Sequence, residues 1–212
     1  MPETVLLLCA HSDDEVFGAG GTIAKFAKEG KRVINVVFSY GEKSHMWLKK
    51  DAIAKIRIQE AKEADKLLGC KKTIFFDLKE GKYLEKERKT VKDIIKIIKM
   101  YKPAKIFTHS HDDPHPDHRA INKMALIAIA KSNLDCDVYL LDVWNAFTIR
   151  QRNLPRLYID ITKEFPEKIA ALRKFKSQRL ALITLFWSVY VRAIAAGLHI
   201  DAKYAERFYK IK

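Results

Sequence analysis

Four of the chain's seven histidines fall within ten residues, in His109-Ser110-His111-Asp112-Asp113-Pro114-His115-Pro116-Asp117-His118. A second polar cluster, His11-Ser12-Asp13-Asp14-Glu15, follows an apolar run near the start of the chain. Imidazoles and carboxylates at such spacing form a donor set for a divalent cation. Zinc is expected before magnesium, because an oxygen-only site would not need the histidines. A catalytic zinc takes three protein ligands and keeps a fourth position for water. His11 and Asp14, three apart on a tight turn, can both face one ion while Asp13 points elsewhere. His115 and His118, three apart at a helix start, can supply one further ligand and leave one imidazole free. Taken singly, each of these residues could be a helix cap or an exposed loop residue. Two such clusters at two strand ends of one sheet point instead to a metal site assembled from two loops.

The elements that must carry these loops alternate in type. Thr4–Ala10 is a continuous apolar run, as expected of a strand buried on both faces. Phe17 to Gly30 has helical spacing (Ile23, Phe26 and Ala27 on one face) with Gly30 as its C-terminal stop. Arg32–Ser39 is a second strand, Lys49 to Leu68 a long helix ending at Gly69, and Thr73–Phe76 a third strand. Glu87 to Tyr101 is a helix stopped by Pro103, and Ala104–His109 a fourth strand followed by a helix to about Lys131. Val138–Val143 and Leu157–Ile161 are further strands, Pro166 to Arg179 a helix, and a hydrophobic helical segment and a short C-terminal element complete the chain. This alternation predicts an α/β fold: a Rossmann-like, open, mostly parallel sheet with helices on both faces. In such sheets ligands bind outside the carboxyl ends of the strands at the switch point, where both polar clusters are expected to lie. With no internal repeat and no linker-like composition, residues 1–212 are expected to form one domain.

Dinucleotide binding is a rival for the first turn, since Gly18-Ala19-Gly20-Gly21 follows strand one. The fingerprint needs its first glycine directly after the strand and a third glycine, yet the turn is His-Ser-Asp-Asp-Glu and the third position is Ile23. An acidic turn would also repel a pyrophosphate. The glycines are better suited to close helix–sheet packing.

The resemblance carried by these motifs is specific. Ala10-His11-Ser12-Asp13-Asp14-Glu15 resembles the A-H-x-D-D-E motif of the PIG-L/LmbE-like N-acetylglucosaminyl deacetylases, and His115-Pro116-Asp117-His118 resembles their H-x-D-H motif. Ser39-x-Gly41-Glu42, Arg57-x-x-Glu60 with Ala64 and Leu68-Gly69, Lys168 to Gln178, and Tyr204-Ala205-Glu206-x-Phe208 are also similar to family segments. The resemblance implies a zinc-dependent hydrolase that removes the acetyl group from N-acetylglucosamine-type sugars or related small N-acyl amines. It implies His11, Asp14 and His118 as zinc ligands, Asp13 as general base, His115 as its protonated partner, and Asp117 as the residue that orients His115. Arg57 would lie near the substrate. The chain departs from the family pattern at Ser12 (usually Pro), at Glu80-Gly81 (often Asp-Gly) and at Phe175 (often His). Glu80 and Trp47 join Arg57 as expected substrate contacts, with Trp47 in the loop of His45 and Met46 after strand two, able to stack on a sugar ring. Trp144 and Asn145 sit in a similar place, where a buried tryptophan is the simpler expectation.

Composition bounds the alternatives. In 212 residues, 48% hydrophobic and 31% charged, the chain can fill a core and is not disordered by composition. The formal charge of +14 could serve a polyanion, so a basic nucleic-acid-binding protein is an alternative from another class. Its positive charge is spread along the whole chain, though, and no aromatic–basic pattern of the known RNA modules is present. A metallohydrolase of another amide or an ester is the nearer alternative. Cys9, Cys70 and Cys136 are too far apart for a thiolate metal site or a disulfide framework. The N-terminus lacks a secretory pattern, so a cytoplasmic protein is expected. Leu180–Leu198 is interrupted by Arg192 and too short to span a bilayer, so no stable membrane insertion is expected. This segment is expected to be core or a subunit interface, the latter making a homo-oligomer.

Overall fold

A computed structural model describes residues 2–41, 50–143 and 153–212. Strands β1 (Thr4–Cys9), β2 (Arg32–Val37), β3 (Lys72–Phe75), β4 (Lys105–His109), β5 (Asp137–Leu141), β6 (Arg156–Asp160) and β7 (Ala205–Lys210) form one sheet in the order β3-β2-β1-β4-β5-β7-β6. The first five pair in parallel. The short C-terminal element is β7, which enters between β5 and β6 and pairs antiparallel with both. Chain order therefore reverses between β1 and β4, and the two polar clusters follow those two strands. That is the switch point where an open α/β sheet leaves a crevice.

Alternation along β1 explains the layers. Val5, Leu7 and Cys9 join a core with α1 (Asp14–Lys28), α2 (Lys50–Leu68), α5 (Phe165–Leu172) and α6 (Arg179–Gly197). Leu6, Leu8 and Ala10 join a second core with α3 (Glu87–Tyr101) and α4 (Pro116–Ser132). Both faces of the strand are covered, so its run is apolar without interruption.

Two helix boundaries differ from expectation. α1 begins at Asp14, three residues early, because Val16 and Phe17 donate their N–H groups to the Asp13 carbonyl at 3.1 and 3.0 Å. The expected helix over 166–179 ends at Leu172 and resumes as a 3₁₀ turn over Lys176–Gln178. There the Glu60 carboxylate takes the Ser177 N–H (2.8 Å) and hydroxyl (2.6 Å), a stronger acceptor than a helical carbonyl.

α1 itself is broken at Ala19 (φ −144°, ψ 15°). At the break Lys168 Nζ donates to the Phe17 carbonyl (2.9 Å), and Glu206 accepts the Gly21 and Thr22 N–H groups (3.0 and 2.7 Å). Lys168 and Glu206 pair at 2.6 Å, so a buried ion pair satisfies what the kink leaves open. The glycines permit the approach: a Cβ on Gly21 would come within 2.6 Å of Ile161, and one on Gly18 within 2.9 Å of Leu141.

The apolar C-terminal segment is divided. Val189, Ala193 and Ala196 of α6 are buried, while Trp187, Val191, Ile194 and Leu198 are exposed by 50%, 42%, 46% and 79%. Their spacing of four, three and four makes one stripe on the helix surface. No helix among the described residues is long and apolar enough to cross a membrane.

Candidate metal centre and active site

The turn after β1 is pinned from three sides. The Ala10 N–H donates to His109 Nε2 (2.9 Å), its carbonyl accepts from the buried Tyr83 hydroxyl (3.0 Å), and the His11 N–H donates to Asp14 Oδ2 (2.8 Å). Asp14 thus caps its own turn and turns its carboxylate back across the strand end. From there it lies 3.5 Å from His11 Nδ1 (Oδ2), 3.3 Å from His118 Nε2 (Oδ1) and 3.2 Å from His109 Nε2 (Oδ2). Two overlapping triads have donor atoms within 4.8 Å of one another: His11 with His115 and His118, and Asp14 with His109 and His118. Neither triad is the expected set of His11, Asp14 and His118; Asp14 lies beside both imidazoles through different oxygens, and His118 is common to both triads. His118 Nε2 is buried without a hydrogen bond of its own. A buried ring nitrogen of this kind, beside a carboxylate and a second imidazole, suits a bound cation once it gives up its proton.

Charge distribution follows from this packing. Burial would lower the His11 imidazole, but Asp117 and Asp14 outweigh it and raise its pKa to about 10. His118 behaves alike, with burial opposed by Asp14 and Asp113, and rises to about 9. Asp14, despite burial, is held well below the usual carboxylate range by His118 and His109. His109 is lowered to about 4 by burial and by the charge of His118, against which its ring stacks with centroids 3.9 Å apart. Asp13 is raised by burial, against the Arg57 guanidinium 3.7 Å away.

One expected contact is corrected. Asp117 holds His115 through its backbone: the Asp117 N–H donates to His115 Nδ1 at 3.2 Å, making His115 the N-cap of α4. The Asp117 carboxylate is occupied elsewhere, accepting the Gly81 N–H at 3.0 Å to both oxygens and approaching His11 Nε2 at 3.4 Å. It faces His11, on the side where the Gly81 N–H meets it. Nor is His115 raised towards a protonated state. Partial burial, then the charges of His11 and His118, lower its pKa more than Asp117 raises it.

His11, Asp13, Asp14, Arg57, Glu80, His115 and Asp117 line one cavity of about 480 Å³, and His118, 3.3 Å from Asp14, is not among its lining residues. Arg57, buried on α2, also donates to the Gly41 carbonyl (2.8 Å). Glu80 stands 3.9 Å from His11 Nε2. Gln178 reaches the same cavity, delivered by the Glu60–Ser177 contacts. Trp47, His45, Met46, Trp144 and Asn145 lie outside the described residues. Two residues without an expected role take part. His109 is the last residue of β4 and points into the cluster. Asp113 Oδ1 lies 3.1 Å from His118 Nδ1 and accepts the His115 N–H at 2.9 Å. Both sit in the histidine-rich run, so composition marked the neighbourhood without marking them.

With the geometry established, likeness to known proteins is informative. Residues 6–129 match the family model described as PIG-L: GlcNAc-PI de-N-acetylase. The chain belongs to this family. Among curated relatives it is 27% identical over 216 residues to the diacetylchitobiose deacetylase of Thermococcus kodakarensis, covering 95% of this chain and 80% of the relative. It is 28% identical over 221 residues to the 4-oxalmesaconate hydratase of Pseudomonas putida, covering 95% and 81%. The structure of N,N'-diacetylchitobiose deacetylase from Pyrococcus horikoshii, complexed with its inhibitor MPG, superposes with a TM-score of 0.85 at 26% identity, covering 99% of this chain and 84% of that one.

Proposed function

We propose that this protein is a zinc-dependent N-deacetylase of N-acetylglucosamine-type sugars or related small N-acyl amines, acting as one domain over residues 1–212. The observation that carries it is the meeting of His11, Asp13, Asp14 and His115 in one cavity at the switch point, with His118 3.3 Å from Asp14. His11, Asp14 and His118 would hold the ion, which when bound acidifies water and polarises an amide carbonyl.

The chain's own groups supply the rest. Asp13, raised by burial and kept off the ligand set, accepts a proton from the attacking water. His115 has Nδ1 occupied by a backbone N–H, so its proton sits on Nε2, which donates to the amide oxygen as negative charge develops. A neutral imidazole suffices for that donation, and a bound cation preserves the repulsion that keeps it neutral. The proton taken by Asp13 then passes to the departing nitrogen, giving acetate and a free amine. Arg57 steadies the Asp13 carboxylate, and with Glu80 and Trp47 it is proposed to meet the sugar.

The test is amine release from N-acetylglucosamine and its short β-linked oligomers, by wild type and Asp13→Asn, with and without a chelator. Chelator-sensitive release that falls about 10²–10⁴-fold in Asp13→Asn at unchanged metal content is expected. A fully metallated protein that releases no amine would refute the sugar reading. Failure to hold any metal would turn attention to the basic polyanion-binding alternative.

The likeness to a hydratase favours one second reading, addition of water to a small substrate by the same base and ion, which consumes substrate without releasing amine. The exposed stripe on α6 supports a homo-oligomer, and the three free cysteines support a cytoplasmic setting.

A further inference from the structure

A second cavity, of about 430 Å³, lies between α6, β7 and the broken start of α1, and Phe17 forms part of its wall and of the catalytic cavity's wall. Its volume is that of a small-molecule site. The charged lining comprises three cations, Lys168, Arg192 and Arg207, and two carboxylates, Asp142 and Glu206. Glu206 is fully engaged, by Lys168 at 2.6 Å and by two N–H groups of α1. Asp142 Oδ2 lies 3.8 Å from Arg207 Nη2. Arg192 donates from Nη1 to the Asp142 carbonyl (2.7 Å) and from Nε to the Ser188 carbonyl (3.3 Å), while its Nη2 has no acceptor among the described residues. Among the described residues the wall therefore holds one more cation than carboxylates, and the Nη2 donor of Arg192 is still to be satisfied. Burial lowers both Lys168 and Arg192 in spite of the carboxylates. Arg192 pushes Lys168 further down and Arg207 does the same to Arg192, a crowding that an added anion would relieve.

We propose that this cavity is a second ligand site, taking the carboxylate or phosphate group of a small anionic molecule on Arg192 and Arg207. The planar fork of a guanidinium matches either group bidentately. The site does not depend on the deacetylase reading, since none of its charged residues lines the catalytic cavity.

Inorganic phosphate and succinate, titrated separately into metal-loaded protein by calorimetry at constant ionic strength, test it. Saturable binding of one or both is expected, and the tighter probe names the class. Arg192→Gln and Arg207→Gln should each weaken it about tenfold or more, whereas His118→Ala should leave it unchanged. If Arg192→Gln does not fold, Arg207→Gln decides alone. Binding lost in His118→Ala and kept in the arginine variants would place the anion on the metal centre and overturn the proposal, as would absence of saturable binding of both probes.

Discussion

Loading the centre with a cation should expel protons, and the structure says about how many. A metal ligand must offer a lone pair, so a protonated imidazole has to lose its proton first. In the metal-free chain His11 is raised to about 10 and His118 to about 9, while Asp14 is ionised far below neutrality. Near neutral pH both imidazoles carry a proton and the carboxylate carries none. Binding at this set should then release about two protons, and apparent affinity should climb about a hundredfold per pH unit between roughly pH 6 and 8. The metal-free fold responds with the opposite sign. Imidazoles raised by carboxylate partners stabilise it fully below their ordinary value of 6.5, and that stability is lost as pH rises through about 9 and about 10. The melting temperature of the metal-free protein should therefore fall with pH over this window while the increment added by metal grows. Calorimetric titration of zinc in buffers of differing ionisation enthalpy counts the protons, and scanning with and without chelator reads both slopes. Release of fewer than one proton near pH 7, or a metal increment that shrinks as pH rises, would refute the reasoning.

Two further outcomes follow from single contacts. Asp113→Asn removes the carboxylate 3.1 Å from His118 Nδ1 and should weaken metal binding about 10–100-fold, measured by competition with a chromophoric chelator; unchanged affinity would show that Asp113 does not orient the ligand. Gly21→Ala gains about 1 kcal/mol of helix propensity but drives a Cβ against Ile161, at a cost of about 1–3 kcal/mol or more, so a lower melting temperature is expected, and the loss should disappear when Gly21→Ala is instead compared with Ile161→Ala as the parent; a rise in the single variant would refute the packing argument.

Much of this site was legible because its signals are local. The uninterrupted apolar run of β1 and the alternation of elements give a parallel sheet, and the switch point then brings two loops 100 residues apart to one crevice. What escaped sequence reasoning depends on contacts between distant segments. Glu60 interrupts the expected helix over 166–179 by capturing Ser177, a capture no periodicity announces. Lys168 and Glu206 fill the break in α1 from α5 and β7, which meet only once the C-terminal strand has entered between β5 and β6.

Asp117 and His115 show the same division within one motif. Their spacing suggests that the carboxylate serves the neighbouring imidazole. Yet a residue two positions inside a helix has an N–H in need of an acceptor, and the His115 ring at the N-cap is the nearest one. The carboxylate is thereby free to take the Gly81 N–H and to face His11. The helix start thus fixes the tautomer of His115, leaving Nε2 to carry the proton. It also works against an imidazolium there, since Nδ1 must stay unprotonated to accept and the helix N-terminus disfavours positive charge. Placing the donor at the first turn of α4 therefore selects a neutral imidazole, and in the proposed reaction the proton delivered to the amine has to come from Asp13.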